Sequence, residues 1–352
     1  MAYSTINKSS VQFNTKLYTG NGADATAYTG VGFQPDFTWI KRRDGTNWHV
    51  LTDAVRGATI QIYSNSDGGN QTVANGLQSF NADGFTLGTN TDSNANTGTY
   101  ASWNWKANGQ GSSNTDGTIN TTYTSANTTA GFSIIKYTGN GTTNATIGHG
   151  LGVTPSMILF KKIDSSNNWI VYEKSMGTGH YLTLNNNNGK DSASGAWCTP
   201  SSTLIQLNQV FGATNTNSAT YVAYAFADKT GYSKSGSYVG NNSNDGTFVY
   251  TGFKPKFILI KMQTLSGNQW YIYDDKRDGA NNNAGTTGGN RSLRPNSTSA
   301  EEQASGYPID ILSNGFKPRT TNSEINADAR IYMYYAIGQT LVGSNNIPAT
   351  AR

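Results

Sequence analysis

The stretch Gly32-Phe33-Gln34-Pro35-Asp36-Phe37-Thr38-Trp39-Ile40-Lys41 decides how the chain is read, because it returns twice. Its second form is Leu151-Gly152-Val153-Thr154-Pro155-Ser156-Met157-Ile158-Leu159-Phe160-Lys161. Its third is Gly252-Phe253-Lys254-Pro255-Lys256-Phe257-Ile258-Leu259-Ile260-Lys261. The three prolines lie 120 and 100 residues apart, and the three closing lysines keep the same separations. Each copy is a short apolar run behind a proline, and proline suits the first position of a strand, where its missing N–H does no harm. One strand is therefore predicted three times.

Other motifs repeat around it in the same order. Leu17-Tyr18-Thr19-Gly20-Asn21-Gly22 precedes the first copy, Lys136-Tyr137-Thr138-Gly139-Asn140-Gly141 the second and Ser237-Tyr238-Val239-Gly240-Asn241-Asn242 the third. A tryptophan follows each copy: Trp48, Trp169 and Trp270. Each unit closes on an aromatic run, at Tyr100 to Trp105, Tyr221 to Phe226 and Tyr332 to Tyr335. These periods exceed those of solenoid repeats, and a unit of this size can bury its own core. The expected organisation is a β-sandwich unit over 1–108 with a short N-terminal arm, a polar linker over 109–130, and a second unit over 131–229. A third unit over 230–340 and a tail over 341–352 complete it. Asp-Gly and Asn-Gly at 83–84 and 314–315 supply tight turns before further strands. Strands at this spacing predict an all-β protein of three tandem β-sandwich domains. A single helical turn is expected at Ser299 to Gln303.

Composition agrees with strands and long polar loops. Of 352 residues only 13% are charged, 25 basic against 21 acidic, while Gly and the aromatics are plentiful. Disordered chains combine high net charge with few aromatics, so that class is excluded. A net charge of +4 is weak support for nucleic-acid binding. No apolar run reaches transmembrane length, no secretory h-region opens the chain, and the single Cys198 allows no internal disulfide.

Candidate chemistry is sparse. His49, His149 and His180 fall at unmatched positions, without metal-ligand spacing. Asp92-Ser93-Asn94-Ala95-Asn96 copies the first five positions of a calcium loop, but Thr97 and Trp103 stand where Gly and Glu are needed. Neither a metal nor a cofactor is expected. A glycosidase needs two acids facing one cleft. Asp53, Glu173 and the pair Asp274-Asp275 each follow a unit's tryptophan, with Arg56, Lys174 and Arg277 nearby. Recurrence in every unit favours an ion pair or turn cap over catalysis, so no catalytic residue is assigned. Trp48, Trp169 and Trp270 are expected in the repeat cores, since large aromatics carry much of a core's burial. Loop aromatics and amides are the weak candidates for glycan contact: Tyr181, Asn185 and Asn187 within Asn185 to Asn188, and Asn281 and Asn283.

The motifs resemble a family of marine bacteriophage virion proteins of cyanophage and pelagiphage type, described as tail-fibre-like or structural. The resemblance rests on Met1 to Ser10, Phe13 to Gly22, Gly32 to Phe37, Ala82-Asp83-Gly84-Phe85-Thr86-Leu87-Gly88 and Trp103-Asn104-Trp105-Lys106-Ala107. Ala227 to Lys234 and Gly246 to Phe253 also match, so it covers nearly the whole chain. It implies concanavalin-like or jelly-roll units and a place in the virion, after synthesis in the host cytoplasm. It brings no catalytic residues. The expected function is a non-enzymatic particle protein, tail-fibre-like, contacting host-surface glycan. A capsid decoration or adaptor protein and a polysaccharide depolymerase are the alternatives. Expected partners are other virion proteins of tail or capsid and a host glycan, with homo-oligomerisation compatible and neither nucleic acid nor membrane insertion involved. Three units in one chain give avidity or imitate a trimer within one polypeptide.

Overall fold

The structure, a computed structural model, describes Ser4 and residues 6–277, 291–302 and 306–340. The described chain is nearly all strand, in antiparallel sheets joined by turns. No described helix is long and apolar enough to cross a membrane.

Each unit has a large sheet and a three-stranded one. In unit 1 the large sheet runs Phe13–Thr19, Thr99–Trp105, Phe37–Arg42, Val50–Asp53, Ile60–Tyr63, Gln71–Thr72. In unit 2 it runs Tyr123–Asn127, Phe132–Thr138, Thr220–Phe226, Met157–Lys162, Ile170–Glu173, His180–Thr183, Asp191–Ser192. In unit 3 it runs Ser233–Val239, Ile331–Gln339, Lys254–Met262, Trp270–Asp274. The repeated apolar run is thus central in its sheet, bonded on one side to the closing aromatic strand. The opening motif pairs with that same aromatic strand. Tyr18 stacks on Tyr100, Tyr137 on Tyr221 and Tyr238 on Tyr332, with ring centroids 5.1, 5.3 and 5.0 Å apart.

The first glycine of each opening motif has a steric cause. A Cβ on Gly20, Gly139 or Gly240 would lie 2.3, 2.4 and 2.2 Å from the carbonyl oxygens of Ala95, Thr216 and Ala327. Backbone crosses backbone there, so no side chain fits.

Successive strand residues point to opposite faces, and a run apolar throughout is buried on both. In unit 1, Ile40, Val50 and Tyr100 pack under the small sheet with Leu77, Phe85 and Leu87. Phe37, Trp39 and Trp103 point the other way, into a core that all three units share. Phe132, Leu159 and Tyr224 of unit 2 and Phe257, Leu259 and Tyr335 of unit 3 belong to the same core. Trp105 lies 5.1 Å from Phe37, 6.3 Å from Phe132 and 5.6 Å from Phe257, one ring of each unit. A void of about 10 Å³ at the centre is lined from all three units.

Several expectations change. The three units do not each close over a separate core: each has its own outer cluster, and the inner faces merge. The segment 109–130, read as a polar linker, contributes the strand Tyr123–Asn127 to the unit 2 sheet. Ser299 to Glu302 is not helical; Glu302 bridges Ser292 in extended backbone, and Gln303 lies outside the described residues. Helical turns sit instead at Thr91–Asn94 and Ser323–Asn326, capped by the Asn90 and Asn322 side chains. The tail 341–352 lies outside the described residues.

Candidate functional site

Three seams join the units in a closed ring, each built from equivalent residues. Past the repeated lysine, the Ile163 and Gln263 carbonyls accept from the N–H groups of Asn70 and Lys190, one unit back. The ring closes where Arg43 accepts from Glu301 of unit 3 at 2.7 Å. The lysines follow the same rule. Lys41 Nζ donates to the carbonyls of Gly45 and, across a seam, Thr298, at 3.1 and 3.2 Å. Lys161 donates to Asn167 and Asp67, and Lys261 to Asn268 and Asn187. These lysines bind carbonyls between units, which gives their recurrence a structural cause.

Burial pushes all three ammonium groups down from 10.5 to about 8. Between pH 8 and 10.5 the three lysines therefore hold more protons in the unfolded chain than in the folded one, and their contribution to stability rises with pH. Burial raises Tyr224, Tyr273 and Tyr335, so above pH 10 the unfolded chain loses protons that the folded chain keeps, and stability falls. Urea midpoints are expected to rise from pH 8 to about 9.5 and to drop above about 10. Lys161→Met should flatten the rise; a steady fall from pH 8 would contradict this account.

The recurrent acids are structural. Asp53, Glu173 and Asp274 occupy one register position, opposite Phe37, Met157 and Phe257. Asp53 accepts from Arg56 Nε at 2.6 Å and from the Tyr224 hydroxyl at 2.6 Å. Asp274 accepts from Arg277 Nε at 2.5 Å and from the Trp103 indole at 2.9 Å. Both pairs are fully buried. Unit 2 departs from this. Met176 takes the arginine's place three residues after the acid, and Glu173 accepts from the hydroxyls of Ser175 and Ser235. Lys174, grouped with the two arginines by sequence, instead pairs with Asp228 at the surface. Asp275, which burial raises to about 6, lies beside Lys256 rather than a second catalytic acid.

Trp48 is not a core residue. It is 42% exposed, whereas Trp169 and Trp270 are fully buried. Counting back from the register acids places His49, not Trp48, opposite Trp169 and Trp270. The backbone N–H groups of His49, Trp169 and Trp270 donate to Asn65, Asn185 and Asn296, one set of equivalent partners. The missing volume is restored from the neighbouring strand: Trp39 stands where units 2 and 3 have Leu159 and Leu259, and its indole donates to His49 Nδ1 at 2.9 Å. Burial holds His49 well below its ordinary range, hence neutral.

The calcium-like fragment is also structural. Asn94 ends a helical turn, and its amide donates to the Ala23 and Gly88 carbonyls while accepting from Asn21 N–H. Asn215 and Asn326 hold the equivalent loops. No metal-holding group of His, Cys, Asp or Glu occurs among the described residues. These asparagines were missed by sequence reading, although each lies at a fixed distance before its aromatic strand.

One cleft does gather candidate residues. It lies on unit 2, has a volume of about 290 Å³, and is lined by Tyr181, Phe211, Asp191, Thr183 and the amides of Asn167, Asn168, Asn186 and Asn188. The Tyr181 and Phe211 rings are 5.3 Å apart, and Trp197 backs Tyr181 at 6.0 Å. The Tyr181 hydroxyl donates to Asp191 at 3.2 Å, and burial together with that carboxylate raises its pKa. Asn185 and Asn187 are not in the lining. Asn185 holds Trp169 N–H and Asn168, and the Asn187 carbonyl accepts from Lys261 and Gly267 across the seam. Their neighbours Asn186 and Asn188 line the cleft instead. Asn281 and Asn283 lie outside the described residues.

The described chain is thus an all-β protein of three similar units round one core, with an aromatic and amide cleft on its outer side. A family model described as a domain of unknown function, DUF7483, matches residues 8–340, and the chain belongs to that family. No curated protein and no solved structure matches it.

Proposed function

We propose that the protein is a non-enzymatic component of a phage-type particle, tail-fibre-like, that binds neutral host-surface glycan through the unit 2 cleft. Its three units are read as jelly-roll-like sandwiches. The observation that carries the glycan reading is the cleft itself. Flat rings at Tyr181 and Phe211 suit the apolar faces of a sugar, while the amides and Asp191 supply donors and acceptors for its hydroxyls. The particle reading rests on the motif resemblance. Against a depolymerase stands the employment of every recurrent acid in a buried ion pair or hydroxyl cluster.

A glycan array with the full chain tests the binding. Tyr181→Ala and Asp191→Asn are each expected to weaken the strongest hits by about tenfold, the scale of one lost aromatic or charge-assisted contact. Wild-type protein silent on every envelope glycan would remove the reading. Labelling of intact particles with antibody against the chain tests the virion assignment separately.

A further inference from the structure

The ring of equivalent units asks what stands at the cleft's position in the other two. Register places Trp48 of unit 1 and Gln269 of unit 3 where unit 2 has Asn168. Trp48 is the one exposed tryptophan of the seven. It is not a loose loop residue. Its backbone N–H donates to Asp92 at 3.3 Å, the Asn47 amide donates to the same oxygen at 3.0 Å, and its ring lies 5.3 Å from Tyr63. An exposed aromatic ring whose backbone is held by a carboxylate, with an amide next to it in the chain, brings the residue types of the unit 2 cleft together again.

Unit 3 is different. Arg294 replaces Tyr63 at the equivalent position: it stands two residues before Asn296, which holds Trp270 N–H, as Tyr63 stands two before Asn65, which holds His49 N–H. Its guanidinium lies 5.7 Å from the Tyr271 ring and 5.9 Å from the Tyr307 ring and pairs with Glu302 at 2.7 Å. The chain's own cation covers the aromatic surface there.

We propose that Trp48 and Asp92 form a second site for a neutral saccharide, so that the chain engages glycan at two of its three equivalent faces and closes the third with Arg294. This inference rests on the glycan reading of the unit 2 cleft. Stacking on Trp48 offers a sugar ring a flat partner, and the Asp92 carboxylate accepts hydrogen bonds from its hydroxyls. Two sites on one rigid body raise the effective concentration for a repeating polymer, which multiplies modest single-site affinities.

The test uses the full chain and neutral hexasaccharides built on glucose, galactose, mannose and N-acetylglucosamine. Calorimetry of wild type is expected to give two sites per chain for a hexasaccharide that binds. Trp48→Ala should remove one of them, weakening it by about tenfold or more, and Tyr181→Ala should remove the other. The bound sugar should also protect Trp48 from N-bromosuccinimide, which reaches exposed indoles, and this reading requires no variant. One site per chain, lost in Tyr181→Ala and untouched in Trp48→Ala, with no protection of Trp48, overturns the second site and spares the cleft. Burial of Trp48 by self-association without added sugar, seen as concentration-dependent protection, also overturns it. No binding of any hexasaccharide to wild type overturns both readings.

Discussion

Arg277→Met is expected to destabilise the folded chain by about 3–5 kcal/mol, the cost of leaving a buried charge without its partner. Asp274 is fully buried and takes its charge-assisted bond from Arg277 Nε. Without it the carboxylate keeps the Trp103 indole and backbone N–H groups, none of which carries a charge. The substitution also removes the guanidinium from the face of Trp103, 5.3 Å away, and its bond to the Ile272 carbonyl. Unit 2 shows how methionine is accommodated: Met176 is paired with Glu173, whose oxygens are satisfied by serine hydroxyls and which burial raises toward the neutral form. The double variant Asp274→Asn with Arg277→Met should accordingly recover a large part of the loss. Urea unfolding of the two single variants and the double measures the coupling. A single-variant loss below about 1 kcal/mol would mean that the pair behaves like an exposed one.

Trp105→Ala is expected to cost about 3–5 kcal/mol and to do so for the whole chain at once. The ring touches Phe13 at 4.8 Å and aromatic rings of all three units. Its indole N–H has no hydrogen-bond partner among the described residues, so the expected loss is one of packing. Because the inner faces form one core, unfolding should be a single transition, with far-ultraviolet dichroism and tryptophan emission coincident in wild type and variant. Three independently folded sandwiches would behave otherwise: the variant would shift one transition and leave two in place. Agreement of the calorimetric and van't Hoff enthalpies, in wild type and in Trp105→Ala, distinguishes the outcomes.

Part of the candidate site was legible in the sequence and part was not. Tyr181 and the asparagine run after it were visible as an aromatic beside amides. Which asparagines face the cleft was not, because Asn185 and Asn187 are drawn into the sheet and the seam while Asn186 and Asn188 turn outward. Trp48 misled for a simple reason. A tryptophan follows the repeated lysine by seven, eight and nine residues, so the three looked equivalent; counting back from Asp53, Glu173 and Asp274, which the sheet fixes, shows that the hairpins of units 1 and 2 are equally long and separates Trp48 from the other two.

The sequence by itself determined the all-β class, the three copies and the strands on which they are built. Those are local properties: a proline before an apolar run, an aromatic run at the end, and a glycine where backbone crosses backbone all act within one unit. Only the tertiary structure decided that the copies close on one another. A strand apolar on both faces states that both are covered, but not by what. Ile40 is covered by its own unit's small sheet, and Phe37, three residues earlier on the same strand, by the Phe132 and Tyr224 rings of unit 2 together with Trp105. The identity of the cover depends on contacts across 100 residues or more of chain, and no pattern within a single strand records them.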